Sequence, residues 1–276
     1  MEVTDQLLLK SSTVTIRDVY CLGDSRHRSA EECTSATEIV FPYRGAYVRH
    51  LGNDQAVAEA NQVLFFNANE CYRVSHPVPG GDRSLSLRIS ETELGDLAPR
   101  ALFSGNGTLA FRPQRLRIDA RAQALVALLR HSLVRQGADA GPLEAESLAL
   151  ALVQRALGPR TTHAAAGSAG RQRLVDRAKL VLASNPARRW TLREIASEVR
   201  GSPVYLTQVF QQVEGLPLYR YQLRLRLARA LDLLPQCEDL TALGLELGFS
   251  SHSHFSAAFR QAYGRSPSEF RKFANR

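Results

Sequence analysis

Apolar residues gather in short runs over the first third of the chain and recur at helical spacing over the rest. STVTIRDVYCL, EIVFPYRGAYVRHL, NQVLFFNAN, CYRVSHPV and RSLSLRIS, all between residues 13 and 90 or their immediate flanks, are rich in Val, Ile, Phe, Tyr and Leu. Gly, Asn, Asp and Pro clusters such as LGNDQA and HPVPGGD separate them, so the pattern predicts short strands in a small β-barrel or jelly roll. After an irregular stretch at 104–114, Ala122, Leu125, Leu129 and Leu133 make one helical stripe. Leu143, Leu148, Leu152, Val153 and Leu157 make another, and the joining RQGADAG suits an antiparallel helical hairpin. GPRTTHAAAGSAG (158–170) has linker composition. Helical periodicity resumes with Leu174, Val175, Ala178 and Leu182, and the lone Trp190 is expected in the core of this C-terminal helical region.

One pattern occurs twice near the C-terminus. Phe255, Ala258, Phe259 and Ala262 fall at i, i+3, i+4 and i+7, with Ser250 or Ser251 placed to cap the helix and Gly264 to end it. Leu206, Val209, Phe210, Val213 and Gly215 repeat this 49 positions earlier, with Ser202 as cap and Pro203 at the first helical position. A short helix precedes each: TLREIASEV (191–199) and DLTALGLELGF (239–249). Two short helices joined by a tight turn, the second with an outward face that is polar and free of carboxylates, describe a helix-turn-helix. The outward face of the second copy holds His252, Ser253, Ser256, Ala257, Arg260 and Gln261.

Residues 171–276 therefore resemble the DNA-binding domain of the AraC/XylS family of transcriptional regulators, on the motifs GFSSHSHFSAAFRQAYGRSPSEFR, SPVYLTQVFQQVEG and RLRLARALDLL. The resemblance implies two helix-turn-helix units joined by a long helix near Leu218–Leu234, with recognition helices in successive major grooves. Carried over position by position, its base contacts fall on Val204, Thr207 and Gln208 in the first recognition helix. In the second they fall on His252, Ser253, His254, Ser256 and Ala257. Gln208 suits adenine, and Val204 and Thr207 suit a thymine methyl. Gln211, Gln212 and Arg260 lie one turn further along and are expected at phosphates. The chain departs from the family at Gly244, where alanine is usual; a helical glycine there is expected to loosen its helix by up to ~1 kcal/mol. FPYRGAYVRHLG and NQVLFFNANECYRVSHPVPGGD resemble the cupin-like effector domain that precedes the DNA-binding domain in many members. That resemblance implies a small-molecule effector, a dimer contact through the helical hairpin, and RNA polymerase as a partner.

Charge strengthens this picture. Residues 171–276 hold 17 Lys/Arg against 9 Asp/Glu, a net +8, whereas residues 1–170 hold 18 of each. The whole positive excess lies where phosphates would use it. The four cysteines form no C-x-x-C pair, the N-terminus lacks an apolar stretch of signal-peptide length, and no apolar run approaches the ~18 residues that span a bilayer. A reduced, cytoplasmic protein is expected.

Enzymatic cupins carry a His-x-His pair inside the barrel, and residues 1–170 have none. His252-Ser253-His254 lies on a helix, where i and i+2 point ~200° apart and do not readily share a metal. Cys21, His27, Cys33, Cys71 and His76 match no standard metal spacing and are read first as buried small fillers, for the cysteines, and as histidines that face solvent or bond locally. No metal or other cofactor and no enzymatic activity are expected, and any metal binding should be weak and confined to the N-terminal domain. The reading is an α+β multidomain regulator. It comprises a cupin-like β-barrel (1–118), a dimerising helical hairpin (119–157), a linker (158–170) and an all-α double helix-turn-helix domain (171–276). The alternatives are a metal-dependent β-barrel enzyme with a tethered DNA-binding domain, or a zinc or redox sensor.

Overall fold

The structure, a computed structural model, describes residues 3–23, 25–105, 109–136, 142–158 and 168–274. They fall into two units, Met1–Thr162 and His163–Arg276. Most of the expected linker, residues 159–167, and most of the hairpin connection, 137–141, lie outside the described residues.

The first unit contains β1 (Val3–Lys10), β2 (Val14–Cys21), β3 (Glu32–Cys33), β4 (Glu38–Arg44), β5 (Tyr47–Leu51), β6 (Asp54–Ala58), β7 (Gln62–Phe66), β8 (Cys71–Ser75), β9 (Asp82–Ile89) and β10 (Arg115–Arg117). They form a six-stranded sheet, β1-β2-β9-β4-β7-β10, and a four-stranded sheet, β3-β8-β5-β6. No ladder joins the two sheets among the described residues, so the expected barrel takes an open, two-sheet, cupin-like form.

Alternation along the strands explains the layering. Ile39, Phe41, Val63, Phe65, Leu85 and Leu87 point to one face of the larger sheet, where they share a core with Leu129, Leu133, Leu152 and Val153. These last lie on α2 (Ala120–Gln136) and α3 (Pro142–Leu157), the expected hairpin. Val40, Leu64 and Phe66 point the other way and pack against Tyr47, Ala56 and Ala58 of the smaller sheet. A sheet covered on both faces reads as continuous apolar runs, and β7 is buried at all five positions. Leu143, placed by periodicity on the inner stripe, is instead 76% exposed at the start of α3.

Several elements depart from the sequence expectation. EIVFPYRGAYVRHL splits into β4 and β5, in different sheets, because Gly45 turns the chain at φ +70° where a Cβ would overlap the Gly81 carbonyl oxygen at 2.1 Å. LGNDQA is not only a break: Leu51 pairs with Asp54 across a two-residue turn, with Gly52 at φ +54°, and β6 starts there. The β3–β8 ladder sets Cys33 opposite Cys71, and the two form a disulfide with Cα atoms 4.0 Å apart. That corrects the expectation of a wholly reduced chain, since a bond spanning 38 residues has no local signature. β9 leads through α1 (Glu91–Leu97), capped by Ser90, into the irregular stretch before β10.

The second unit is helical: α4 (Ala169–Ser184), α5 (Leu192–Glu198), α6 (Pro203–Glu214), α7 (Leu218–Leu233), α8 (Leu240–Glu246), α9 (His252–Tyr263) and α10 (Pro267–Ala274). Leu206, Val209, Phe210 and Val213 of α6 are buried, as are Phe255, Ala258 and Phe259 of α9. Between α4 and α6 lies a buried ionic group that no periodicity announces, the Lys179 ammonium with the Glu214 carboxylate and, at 3.9 Å, that of Asp176.

Candidate nucleic-acid interface

Each pair of short helices is set by its caps. Thr191 and Glu194 close a capping box on α5: the Thr191 hydroxyl accepts from the Glu194 N–H, while the Thr191 N–H donates to the Glu194 carboxylate at 2.7 Å. That bond, the Thr191 hydroxyl and Arg188 hold the Glu194 carboxyl at about 2. In the second pair Asp239 caps α8 through the Thr241 N–H. Ser202 and Ser251 cap α6 and α9, and Gly215 and Gly264 end them in the left-handed conformation, at φ +66° and +75°. Ser251, not Ser250, is the cap; Ser250 shares a 3.0 Å hydrogen bond with His254 Nδ1.

The two pairs are not related by one offset throughout. The caps of α6 and α9 are 49 residues apart, but those of α5 and α8, Thr191 and Asp239, are 48 apart. The second turn therefore has one more residue. Arg200 occupies the left-handed region (φ +55°) in the first turn and Gly248 (φ +82°) in the second.

Opposite their buried stripes, α6 and α9 present the candidate positions. Val204 (69% exposed), Gln208 and Gln211 fall at i, i+4 and i+7 on α6, with half-buried Thr207 beside them. The Thr207 hydroxyl donates to the Pro203 carbonyl. On α9, Ser253, Ser256, Ala257 and Arg260 form the matching stripe, exposed except for half-buried Ser256, and His252 and His254 flank it. His252 Nε2 lies 3.4 Å from the Ser256 hydroxyl. Neither exposed face carries a carboxylate, because Glu214 is turned into the core.

Two features escaped the sequence reading. Arg226 on α7 donates to the carbonyls of Pro186, Ala187, Arg188 and Gly248, tying the approach to α5 to the turn between α8 and α9. Its only sequence signal is a charged residue between the buried Leu225 and Leu227. Trp190, expected in the core, is half-buried. Its indole N–H donates to the Asn185 carbonyl and the Arg188 guanidinium lies 4.0 Å above its ring, so this aromatic anchors a loop.

The first unit holds a separate cavity of about 130 Å³ between its two sheets, lined by Val40, Tyr47, Phe66 and Tyr72 among others. Burial, then Glu32 and Glu38, push the Tyr72 hydroxyl up to about 12. Arg49, fully buried, pairs with Glu70 and stacks 4.2 Å from Phe66, an aromatic that lines the cavity.

The family models for an AraC-binding-like domain and for a helix-turn-helix domain match residues 11–158 and 195–272. The chain belongs to the AraC family of transcriptional regulators. Among its relatives, the transcriptional activator RhaR of Klebsiella pneumoniae is 28% identical over 154 residues, 55% of this chain and 54% of that one. The regulator ArgR of Pseudomonas aeruginosa is 38% identical over 98 residues, 35% of this chain and 30% of that one. The chain thus spans about half of one relative and under a third of the other. A structure of ToxT from Vibrio cholerae covers 95% of this chain and 99% of its own at 14% identity and a TM-score of 0.36, too low to add to the assignment. No described helix of this AraC-family chain is long and apolar enough to cross a membrane.

Proposed function

We propose that this chain is a sequence-specific, effector-responsive transcriptional regulator, and not an enzyme, that reads duplex DNA with α6 and α9. The carboxylate-free outer faces of those helices carry the reading, since they lie in the C-terminal segment that holds the entire +8 excess. Val204, Thr207, Gln208, His252, Ser253, His254, Ser256 and Ala257 serve as base-edge or groove contacts, and Gln211 and Arg260 contact phosphates. Residues 1–118 form the sensing domain, with a small molecule held in the cavity between the sheets. Residues 119–157 contribute to a homodimer, which the exposed Val134 and Leu143, flanking the hairpin's connection, favour. Residues 158–170 link this half to the DNA-binding domain, 171–276. The protein works in the cytoplasm and acts on transcription through RNA polymerase, with activation as the expected sign.

Selection of bound sequences from random duplex DNA with the full chain tests this. A defined two-part site should emerge, and log affinity should fall linearly and steeply with log salt. A full chain that enriches no sequence and binds DNA indifferently to salt would sink the proposal.

A further inference from the structure

The HPVPGGD turn folds back on the end of β2. Gly81 makes this possible at φ +71°, with the position of a Cβ only 2.3 Å from the Cys21 carbonyl oxygen. The turn delivers His76 and Asp82 to Cys21, which pairs directly with Asp82 in the β2–β9 ladder. One ligand-type atom from each of these residues lies within 4.8 Å of the other two, and the residues are 5%, 3% and 5% exposed for Cys21, His76 and Asp82.

The cluster is incompletely satisfied as it stands. His76 Nε2 is 3.0 Å from Asp82 Oδ2 without an aligned hydrogen bond, and His76 Nδ1 and Asp82 Oδ2 are both buried with no hydrogen-bond partner. A buried carboxylate and an orphaned imidazole nitrogen are costly unless a cation meets them.

We propose that Cys21, His76 and Asp82 bind one Zn²⁺ per chain, with the fourth coordination position opening on the cavity that all three line. Thiolate, imidazole and carboxylate together suit zinc. Tetrahedral zinc with bonds of ~2.0–2.3 Å holds its ligand atoms ~3.3–3.8 Å apart, so side-chain adjustment of about 1 Å completes the site. Zinc binding would release the Cys21 thiol proton. His27, exposed, and Cys33 and Cys71, joined to each other, are not ligands. The site stands independently of the DNA-binding reading, and its test needs no DNA.

The full chain, stripped with chelator and with the disulfide kept oxidised, is titrated with Co²⁺ and then with Zn²⁺. One equivalent of Co²⁺ should bind with a thiolate-to-cobalt charge-transfer band, and Zn²⁺ should displace it. Cys21→Ser should abolish the band. His76→Gln and Asp82→Asn should each weaken Zn²⁺ binding at least ~10-fold, since loss even of outer-shell partners costs 10–100-fold. Joint replacement of Cys33 and Cys71 by serine should leave the band intact. Absence of stoichiometric binding, cobalt bound without the thiolate band, or loss of the band on replacing Cys33 and Cys71 overturns the site. The wild-type spectrum decides the matter even if Cys21→Ser does not fold.

Discussion

At Gly248 the backbone sits at φ +82°, and a Cβ would lie 2.1 Å from the Ala187 carbonyl oxygen. Both the left-handed conformation and the close approach to Ala187 demand glycine, and the Gly248 carbonyl also accepts from Arg226. Gly248→Ala should therefore destabilise the chain by ~3 kcal/mol or more, the strain of a non-glycine φ adding to a backbone overlap. Urea denaturation measures it; a change under about 1 kcal/mol would show that the turn yields. Gly244 has a different role. Its φ is helical, but a Cβ there would come within 3.1 Å of Phe255 Cβ, and Phe255 is wholly buried between Phe249 and Phe259. The glycine read as loosening α8 also lets α8 and α9 approach closely, which sets contact against propensity.

Among the elements, α5 and α10 both start at a titrating carboxylate, Glu194 and Glu269, each lowered by the backbone N–H and hydroxyl of the residue three positions before it. The Glu194 carboxyl is held at about 2, from an ordinary 4.5, by hydrogen bonds from Thr191 and Arg188 that the charged carboxylate accepts more strongly than the neutral acid. A depressed carboxyl contributes stability that is complete above its unfolded value and disappears as pH falls through its folded one. The stability gap between the native chain and Glu194→Gln should thus be full above 4.5 and shrink as pH falls toward 2. Chemical denaturation across that range checks this, and a gap independent of pH would mean that the capping carboxylate contributes nothing. The connecting helix α7 owes less to local signals: Arg226 and Gln222 fasten it to the carbonyls of the loop around Pro186–Arg188.

For the whole molecule, the proposed function requires α6 and α9 to share one DNA site. Helices tied by α7 and reading successive major grooves should meet the same DNA face ~10 bp apart. Gln208→Ala should relax preference in one half of the selected site and His252→Ala in the other, each costing ~1–3 kcal/mol at the matching base pair. Arg260→Ala should instead weaken all sequences alike and lower the salt slope by about one. Binding-site selection with the variants decides this, and effects of Gln208 and His252 on the same base pairs would refute the two-groove arrangement.

What could be read from the residues was whatever rests on neighbours a few positions apart. Ser202, Pro203, Gly215, Ser251 and Gly264 mark the ends of α6 and α9 because capping involves groups within four residues. The apolar stripes of α6 and α9 mark their inner faces for the same reason. Strands β1 and β6 were not legible: VTDQLLLK is mostly exposed and DQAVA has weak strand propensity, and each is made a strand by its ladder partner. Cross-strand register likewise decided that Cys33 meets Cys71 and that Cys21 meets Asp82, with His76 delivered by the turn. Such neighbours are distant in the chain, so no local pattern encodes them. The outward faces of α6 and α9 could therefore be named from the sequence, whereas the buried Cys21–His76–Asp82 cluster exists only once the sheets have formed.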